Sequence, residues 1–488
     1  MGRYEVIIQS RTTEWGTVNI VVLGGAGDMG SHIVRELIEN SDAQVTIADY
    51  RLSEARELAR RLGERAQAAF VDAGNRDSLL LALRDADVAV GAVGPFYRYA
   101  SRMAWAALES GVDYIDICDD HGPIQTLLEF DAVARNAGVT LITGLGWTPG
   151  LSNILARYGA DQLDEVDEIR IAWVGGAADS EGLAVVKHVL YAVTGQVPTY
   201  RDGQWIQVPA LSEPERVEFP EPLGEIEVVH VGHPEPVTIP RTIPARTVSL
   251  KGALTPKWNN RLAGWLVRLG LTRTRSRIDR VSRLIHQLEG VLGAGGVALS
   301  AVRVDVTGAR GGEQVTLTYM AADHMGRLTG IPAAIGALML AHDEITEPGV
   351  FAPEAIIDPA PFLDTLAERG IQIIEHETVV PEAVAEEVPV EVGAEEIVAE
   401  TLAEAGPVVP SARLTEGEVV EVTLAVEHGQ FAGPPTESPP GAPLVPSATL
   451  QNGTVVEVAL ALDKHHPELS PATEPAVIDT SRETPARL

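Results

Sequence analysis

Residues 18–30 constrain the fold of this chain more than any other part of the sequence. A short apolar run, residues 20–23, breaks at glycines and leads directly into a segment with helical spacing, which is the pattern of a buried parallel strand followed by a helix. The turn between them matches G-x-G-x-x-G, which places a dinucleotide pyrophosphate at a helix N-terminus. We assign the tight turn to Gly25, the close backbone approach to Gly27 and the close helix packing to Gly30.

A second predicted strand, residues 44–48, supports dinucleotide binding over an ordinary strand-to-helix turn. It ends at Asp49, 24 residues after Gly25, close to the position of the acid that binds the adenosine ribose in such folds. The carboxylate of Asp49 predicts NAD, because it accepts a hydrogen bond from the ribose 2′-OH and repels a 2′-phosphate. Arg51 lies two residues farther on and could favour NADP instead, so NADP remains open.

Strands and helices alternate along residues 1–147, which predicts an α/β domain with the doubly wound parallel sheet of a Rossmann fold. Ligands of such sheets bind outside the carboxyl ends of the strands, so residues that follow the predicted strands are candidates for cofactor contacts. The predicted contacts are Gly25, Ala26, Gly27, Asp28, Met29, Gly30, Asp49, Arg51, Asp72, Gly94, Pro95 and Phe96.

Composition excludes several other classes of protein. The formal charge of −32 argues against binding to nucleic acid. The longest apolar runs, such as residues 331–341, are shorter than the ~18 residues that span a membrane. The single cysteine, Cys118, leaves no disulfide framework or cysteine zinc site, and no spacing of metal ligands appears. We therefore expect a cytoplasmic protein with no metal, no nucleic-acid partner and no membrane partner.

The pattern changes after Gly144. Segments in which apolar and polar residues alternate weakly replace the regular succession of strands and helices. These segments predict a second α+β domain over residues 148–327 with a mainly antiparallel sheet. Its predicted strands are 168–174, 199–209, 225–231 and 245–250, with a hairpin formed by 303–307 and 315–320. Helices are predicted at 183–193 and at 261–288, the second with a break and seven arginines.

The last part of the chain, residues 378–488, has a different composition. It holds 19 acidic and 4 basic residues, which give a net charge of −15, and it is rich in Pro, Ala, Val and Glu. This composition predicts an acidic tail that is mostly disordered. Residues 409–427 recur as 445–463, and each copy is a candidate hairpin. We interpret the repeat as a tolerated duplication, and any partner of the tail is unknown.

Several stretches together resemble the saccharopine dehydrogenase-like family, in the branch that includes lysine 6-dehydrogenase and the carboxynorspermidine enzymes. The matching stretches are the glycine loop, Gly94 to Phe96, Ser110 to Asp116, Ala137 to Gly150, Gly349 to Glu354 and Phe362 to Gly370. The resemblance implies a Rossmann domain, an inserted second domain, and helices within residues 328–377 that return to the first domain. It also implies a homo-oligomer.

The resemblance further implies hydride transfer with NAD or NADP at a carbon–nitrogen bond of an amino-acid or polyamine-adduct substrate. The leading hypothesis is a saccharopine-type reaction, and lysine 6-dehydrogenase or carboxynorspermidine dehydrogenase activity is the alternative. A non-catalytic dinucleotide-binding module that recruits a partner through the tail is an alternative of a different class. The predicted catalytic residues are His188, Glu181, Asp120 and His121, because they lie near strand ends or at the start of the second domain.

Overall fold

The computed structural model describes residues 18–176, 179, 182–287 and 297–379, together with four short strands farther along the chain. The chain divides into two units, Met1–Val384 and Ala385–Leu488. None of the helices in the described residues has the length and apolar character needed to cross a bilayer. The cytoplasmic location stays a prediction.

The described part of the first unit contains sixteen strands and fourteen helices. The strands are β1 Asn19–Leu23, β2 Gln44–Asp49, β3 Ala66–Phe70, β4 Val88–Gly91, β5 Asp113–Asp116, β6 Thr140–Ile142, β7 Glu165–Gly176, β8 Gln196–Arg201, β9 Gln204–Pro209, β10 Glu215–Phe219, β11 Gly224–His230, β12 Ala245–Thr255, β13 Ser300–Arg310, β14 Glu313–Asp323, β15 Gly349–Phe351 and β16 Ile374–Val379. The helices are α1 Asp28–Asn40, α2 Leu52–Leu62, α3 Arg76–Leu83, α4 Phe96–Ser110, α5 His121–Leu128, α6 Asp131–Ala137, α7 Leu151–Ala160, α8 Leu183–Ala192, α9 Glu235–Thr238, α10 Trp258–Arg268, α11 Arg275–Gln287, α12 Met325–Ala341, α13 Pro353–Ile356 and α14 Pro359–Glu368.

The first sheet is a seven-stranded parallel sheet with the order β15-β6-β5-β4-β1-β2-β3. In its centre, β4 and the part of β1 after Asn19 are apolar because helices cover both faces of the sheet, and Ile20, Val22 and Leu23 are fully buried. The strand order reverses between β1 and β4, which opens a crevice at the carboxyl ends of these strands. The predicted doubly wound Rossmann sheet is confirmed.

The second sheet has nine strands, in the order β10-β11-β12-β7-β13-β14-β16, with β8 paired to β12 and β9 paired to β8. β12 and β7 run parallel, and the other pairs are antiparallel. The mainly antiparallel second sheet is therefore confirmed. The predicted arginine-rich helix is interrupted as expected, and its two halves are α10 and α11.

The apolar helix α12 lies against α1 of the first sheet's helical layer. Two glycines make this close approach possible, because a Cβ at Gly326 would lie 2.3 Å from Nε2 of His32 and one at Gly330 would lie 2.8 Å from its Cβ. After α12 the chain adds β15 to the edge of the first sheet, beside β6. Burial by these neighbours explains why nearly all of α12 is apolar.

The end of the 328–377 segment departs from the expectation that it returns to the first domain. Ile374–Val379 forms β16, which pairs with the outer edge of β14 in the second sheet. An uncovered strand edge exposes a row of unpaired backbone N–H and C=O groups, and β16 satisfies those of β14. This strand also includes Thr378 and Val379, which we had assigned to the tail.

In the second unit, the structure describes four three-residue strands that form two antiparallel pairs. Ser411–Arg413 pairs with Val419–Glu421, and Ser447–Thr449 pairs with Val455–Glu457. The two pairs occupy equivalent positions in the two copies of the repeat, so strand pairing in each predicted hairpin is confirmed. The predicted disorder of the other tail residues lies outside the described part of the chain, and a tail partner stays a prediction.

Candidate active site

The glycine loop has the tight geometry expected of a pyrophosphate-binding turn. A Cβ on Gly30 would lie 2.2 Å from the carbonyl oxygen of Gly24, so only glycine lets α1 approach the loop this closely. A Cβ on Gly25 would lie 3.0 Å from the carbonyl oxygen of Val22. Gly27 is the N-cap of α1 and has no side chain to cap the helix, and a helix N-terminus of this kind attracts an anion.

Asp49 occupies the end of β2, beside the loop. Its carboxylate accepts hydrogen bonds from the backbone N–H groups of Ala26 and Arg51, at 3.1 and 2.9 Å. The guanidinium of Arg51 donates to the carbonyl oxygen of Ala26 at 3.2 Å and forms an ion pair with Glu54 at 2.6 Å. An acid and a half-exposed arginine therefore lie together where the adenosine ribose binds in this fold, and NAD as the preferred cofactor stays a prediction.

A cavity of about 950 Å³ connects this loop with the second domain. Ten of the twelve predicted cofactor contacts line it, and Gly25 and Gly30 instead shape the loop behind its surface. The ten are Ala26, Gly27, Asp28, Met29, Asp49, Arg51, Asp72, Gly94, Pro95 and Phe96. The uncapped helix N-terminus, the close backbone approach and this volume fit NAD(P), which these residues would hold.

His188 is the centre of the polar cluster on the second side of the cavity. Helix α8 carries it to the loop that follows β5, where Nδ1 lies 2.9 Å from Oδ1 of Asp120 and 3.1 Å from Oδ1 of Asp119. Burial by itself lowers the pKa of a histidine, but the two carboxylates outweigh that effect and raise the pKa of His188 to about 10. His188 is therefore a protonated imidazole in an ion pair at neutral pH.

A second histidine extends the cluster. Nε2 of His233 lies 3.1 Å from Nε2 of His188, and both rings line the cavity. Nδ1 of His233 lies 3.7 Å from Oε2 of the fully buried Glu235, whose other oxygen accepts hydrogen bonds from the hydroxyls of Thr148 and Ser152 at 2.5 and 2.8 Å. The cluster thus continues from the cavity into the protein as one polar chain.

Two tryptophans form an apolar wall of the same cavity. Trp147 and Trp173 both line it, with their rings edge to face at 5.9 Å, and the Trp173 ring is 5.3 Å from that of His233. Trp173 is held by its cross-strand partner Gly252, where a Cβ would lie 2.3 Å from the indole. The tryptophans restrict water around the histidines and offer aromatic faces to a ligand.

The other predicted catalytic residues have different positions. Asp120 is fully buried and does not line the cavity, and its second oxygen accepts a hydrogen bond from the backbone N–H of Tyr97 at 2.8 Å. His121 begins α5, stacks on Tyr191 at 5.8 Å and is not among the residues that line the cavity. Glu181 lies outside the described residues. Catalytic roles for His188, Asp120 and His121 stay predictions.

The sequence did not single out His233 or Glu235. His233 follows β11 in an irregular segment and Glu235 begins the four-residue helix α9, so no local period relates them to His188 and only the fold brings them to it. Asp119, Asp120 and His188 also place three potential ligand atoms within 4.8 Å of one another. The 2.9 Å contact with Asp120 is a charge-assisted hydrogen bond, and Asp119 adds an ion-pair contact at 3.1 Å, so we interpret the group as an ion pair.

The parallel sheet, the glycine loop and the buried acid–histidine cluster on one cavity define an NAD(P)-dependent oxidoreductase. The family comparison agrees with this class. The model described as "Saccharopine dehydrogenase NADP binding domain" matches residues 20–142, and that described as "Saccharopine dehydrogenase C-terminal domain" matches residues 146–371. The chain belongs to the saccharopine dehydrogenase family.

Individual relatives are similar over most of their length. Carboxynorspermidine synthase of Vibrio alginolyticus is 25% identical over 397 residues, which cover 71% of this chain and 94% of the relative. Carboxyaminopropylagmatine dehydrogenase of Synechocystis sp. is 23% identical over 391 residues, with coverages of 72% and 96%. The apo saccharopine dehydrogenase (L-Glu forming) of Saccharomyces cerevisiae has the same fold, with a TM-score of 0.56 at 17% identity, covering 74% of this chain and 100% of that structure.

Proposed function

We propose that this enzyme interconverts an imine and a secondary amine that joins an amino-acid-derived carbon chain to a polyamine-type amine. The observation that carries the proposal is the buried ion pair of His188 with Asp119 and Asp120 on the cavity that contains the glycine loop. A bound NAD(P) supplies or accepts the hydride at the carbon atom. The protein must then supply or remove the proton at the nitrogen atom.

His188 suits that proton transfer. Its pKa of about 10 is close to the ~10.4 of an alkylammonium ion, so a proton can pass between the imidazole and the substrate nitrogen with little free-energy difference. At neutral pH the imidazole is protonated, which favours donation to the nitrogen and hence formation of the amine. Asp119 and Asp120 keep the ring oriented and charged through Nδ1.

The charge of the cavity favours a cationic substrate. Among the described lining residues, Arg51 is the only lysine or arginine, and it lies beside the glycine loop. Asp28 and Asp119 also line the cavity, and Trp147 and Trp173 present aromatic surfaces that attract an ammonium group. Saccharopine carries three carboxylates and would require cationic partners, whereas a carboxylated polyamine places most of its charge as ammonium groups.

The relatives support the same substrate class, because two of them are named for carboxylated amines. Free lysine, the substrate of a lysine 6-dehydrogenase, is the second candidate, since its ammonium group would also fit the acidic part of the cavity. The non-catalytic module is disfavoured, because a protein that only binds a dinucleotide has no need of a buried histidine between two carboxylates.

The test is the absorbance of reduced nicotinamide during incubation with NAD or NADP and carboxynorspermidine, free lysine or saccharopine. We expect turnover of the carboxylated polyamine. His188→Asn should lower kcat by about 100-fold or more, as loss of a general acid–base group does. The control His342→Asn replaces an exposed histidine after α12 and should leave kcat unchanged.

Turnover of saccharopine or lysine in preference to the carboxylated polyamine would contradict the proposed substrate. Cofactor binding without turnover of any compound in the panel would contradict the proposed reaction and favour the non-catalytic module. Formation of a homo-oligomer stays a prediction, which the molar mass in solution would test.

A further inference from the structure

The contact between His188 and His233 requires a shared hydrogen atom. Their Nε2 atoms are 3.1 Å apart, and the two rings are nearly perpendicular at 85° with centroids 4.9 Å apart. Both side chains are buried, with 7% and 2% exposure. A hydrogen bond between two imidazole nitrogens needs one donor and one acceptor, so one of the two Nε2 atoms carries the proton and the other has a free lone pair.

The neighbours of the outer nitrogens determine where the remaining protons lie. Nδ1 of His188 faces two carboxylates and is therefore a donor. When His188 is an imidazolium, its Nε2–H donates to His233, whose own proton then lies on Nδ1 and points toward Glu235. When the shared proton moves across the 3.1 Å contact, His233 becomes the imidazolium, and Glu235 is the carboxylate next to it.

We propose that His188 and His233 form a single proton-sharing pair, and that Glu235 is a positioning residue that stabilises the shared proton through His233. The use of this pair in the reaction rests on the proposed function. In the direction of amine formation, the reduced dinucleotide would supply hydride to the imine carbon. The proton on Nε2, the one N–H of the pair that is not directed at a carboxylate, would pass to the imine nitrogen and leave the pair neutral. A proton from water then restores it.

The surroundings of Glu235 fit this role. Thr148 and Ser152 both donate to Oε1, so Oε2 is the oxygen left for Nδ1 of His233. Oε2 of Glu235 and Nδ1 of His233 are both buried and face each other at 3.7 Å, and neither atom makes a hydrogen bond within the described residues. Burial by itself would raise the pKa of Glu235, but His233 and the two hydroxyls outweigh it and hold that pKa below its usual value.

Other ionisable groups also face the pair. Asp119 and Asp120 approach from the loop after β5, and His121 lies near both rings from the start of α5. Burial lowers the pKa of His121, which keeps it neutral, so it adds no positive charge at neutral pH. On the far side, Glu354 faces Glu235 and has a pKa raised by burial to about 7. The test therefore substitutes Glu235 and uses the same substitution at Glu354 as the comparison.

The experiment is the pH dependence of the pair in Glu235→Gln and in the matched control Glu354→Gln. Both substitutions remove one buried carboxylate and keep the side-chain shape, but Glu354 is hydrogen-bonded to Asn153 and contacts neither histidine of the pair. Removal of the charge next to His233 should lower the apparent pKa of the pair by about 1 unit or more. The control should change it by less than about 0.3 unit, because its charge lies beyond Glu235.

Two readouts separate this inference from the proposed function. Histidine Cε1–H NMR titration of the complete chain needs no substrate, and the alkaline limb of kcat for amine formation should move to lower pH by the same amount. An unchanged titration in Glu235→Gln, or equal shifts in both variants, would overturn the proton-sharing pair. Absence of turnover together with the expected NMR shift would contradict the proposed function alone.

A second substitution covers the case in which Glu235→Gln does not fold. His233→Leu removes the acceptor of the His188 Nε2–H, and the titration of His188 should then move to lower pH. A His188 titration that keeps its position without His233 would contradict the pair.

Discussion

The ion pair of His188 should make the stability of the protein depend on pH in a specific direction. The pKa of His188 is raised from 6.5 to about 10 in the folded state, because Asp119 and Asp120 outweigh the opposing effect of burial. The folded protein therefore binds this proton more tightly than the unfolded chain does. Its stabilising effect is fully present below pH 6.5 and is lost as the pH rises through about 10.

The size of the effect follows from the two pKa values. The difference between these two pKa values corresponds to about 5 kcal/mol of unfolding free energy at low pH. Between about pH 6 and about pH 8.5, the contribution of His188 should fall by about 2–3 kcal/mol. This difference is large compared with a typical stability of about 5–15 kcal/mol, so it is measurable.

Urea unfolding followed by tryptophan fluorescence measures this free energy. The experiment compares the wild type with His188→Gln at the two pH values, and the contributions of titrating groups that do not interact with His188 cancel in the difference between the two proteins. The wild type should lose about 2–3 kcal/mol more than the variant as the pH rises. Equal pH dependence of the two proteins would refute the assigned ion pair.

Two further predictions concern the cofactor. Gly30→Ala places a Cβ 2.2 Å from the carbonyl oxygen of Gly24 and should raise the Kd of NAD(P) at least about 10-fold in a fluorescence titration. The control Gly264→Ala, whose Cβ would meet only Cδ1 of Leu211 at an ordinary 4.0 Å, should leave the Kd unchanged, and equal Kd values for the two variants would contradict the close packing. The enzyme should have a lower KM for NAD than for NADP because of Asp49. Arg51→Ala should weaken the binding of NADP by about 10-fold and leave the binding of NAD unchanged. Equal weakening of both cofactors would show that Arg51 does not face the ribose 2′ position.

The first domain was predictable because its signals are local. An apolar strand, a glycine turn and a helical segment follow one another along the chain, and the nearest contacts of Gly25, Gly27 and Gly30 are with residues less than ten positions away. The same holds for the tail repeat, where two similar segments form similar strand pairs. Family resemblance added the reaction class, which periodicity alone does not indicate.

The catalytic cluster was predictable only in part. Asp120 stood out because it follows a strand, and His188 because it lies near the start of the second domain. His121 follows the same strand as Asp120, but it stacks on Tyr191 and is not among the residues that line the cavity. His233 and the first residue of α9, Glu235, lie more than 40 residues from His188, and no local pattern relates them to it.

The sequence by itself therefore determined the parallel sheet and the dinucleotide loop, because short-range backbone geometry and hydrophobic periodicity specify both. The tertiary structure alone decided the partners of His188, the pairing of β16 with β14 and the acidic character of the cavity. Each of these depends on side chains or strand edges that are distant in the chain and meet only when the two sheets have formed. The proton chemistry of the site belongs to this second group, since the charge of His188 is set by neighbours that folding brings to it.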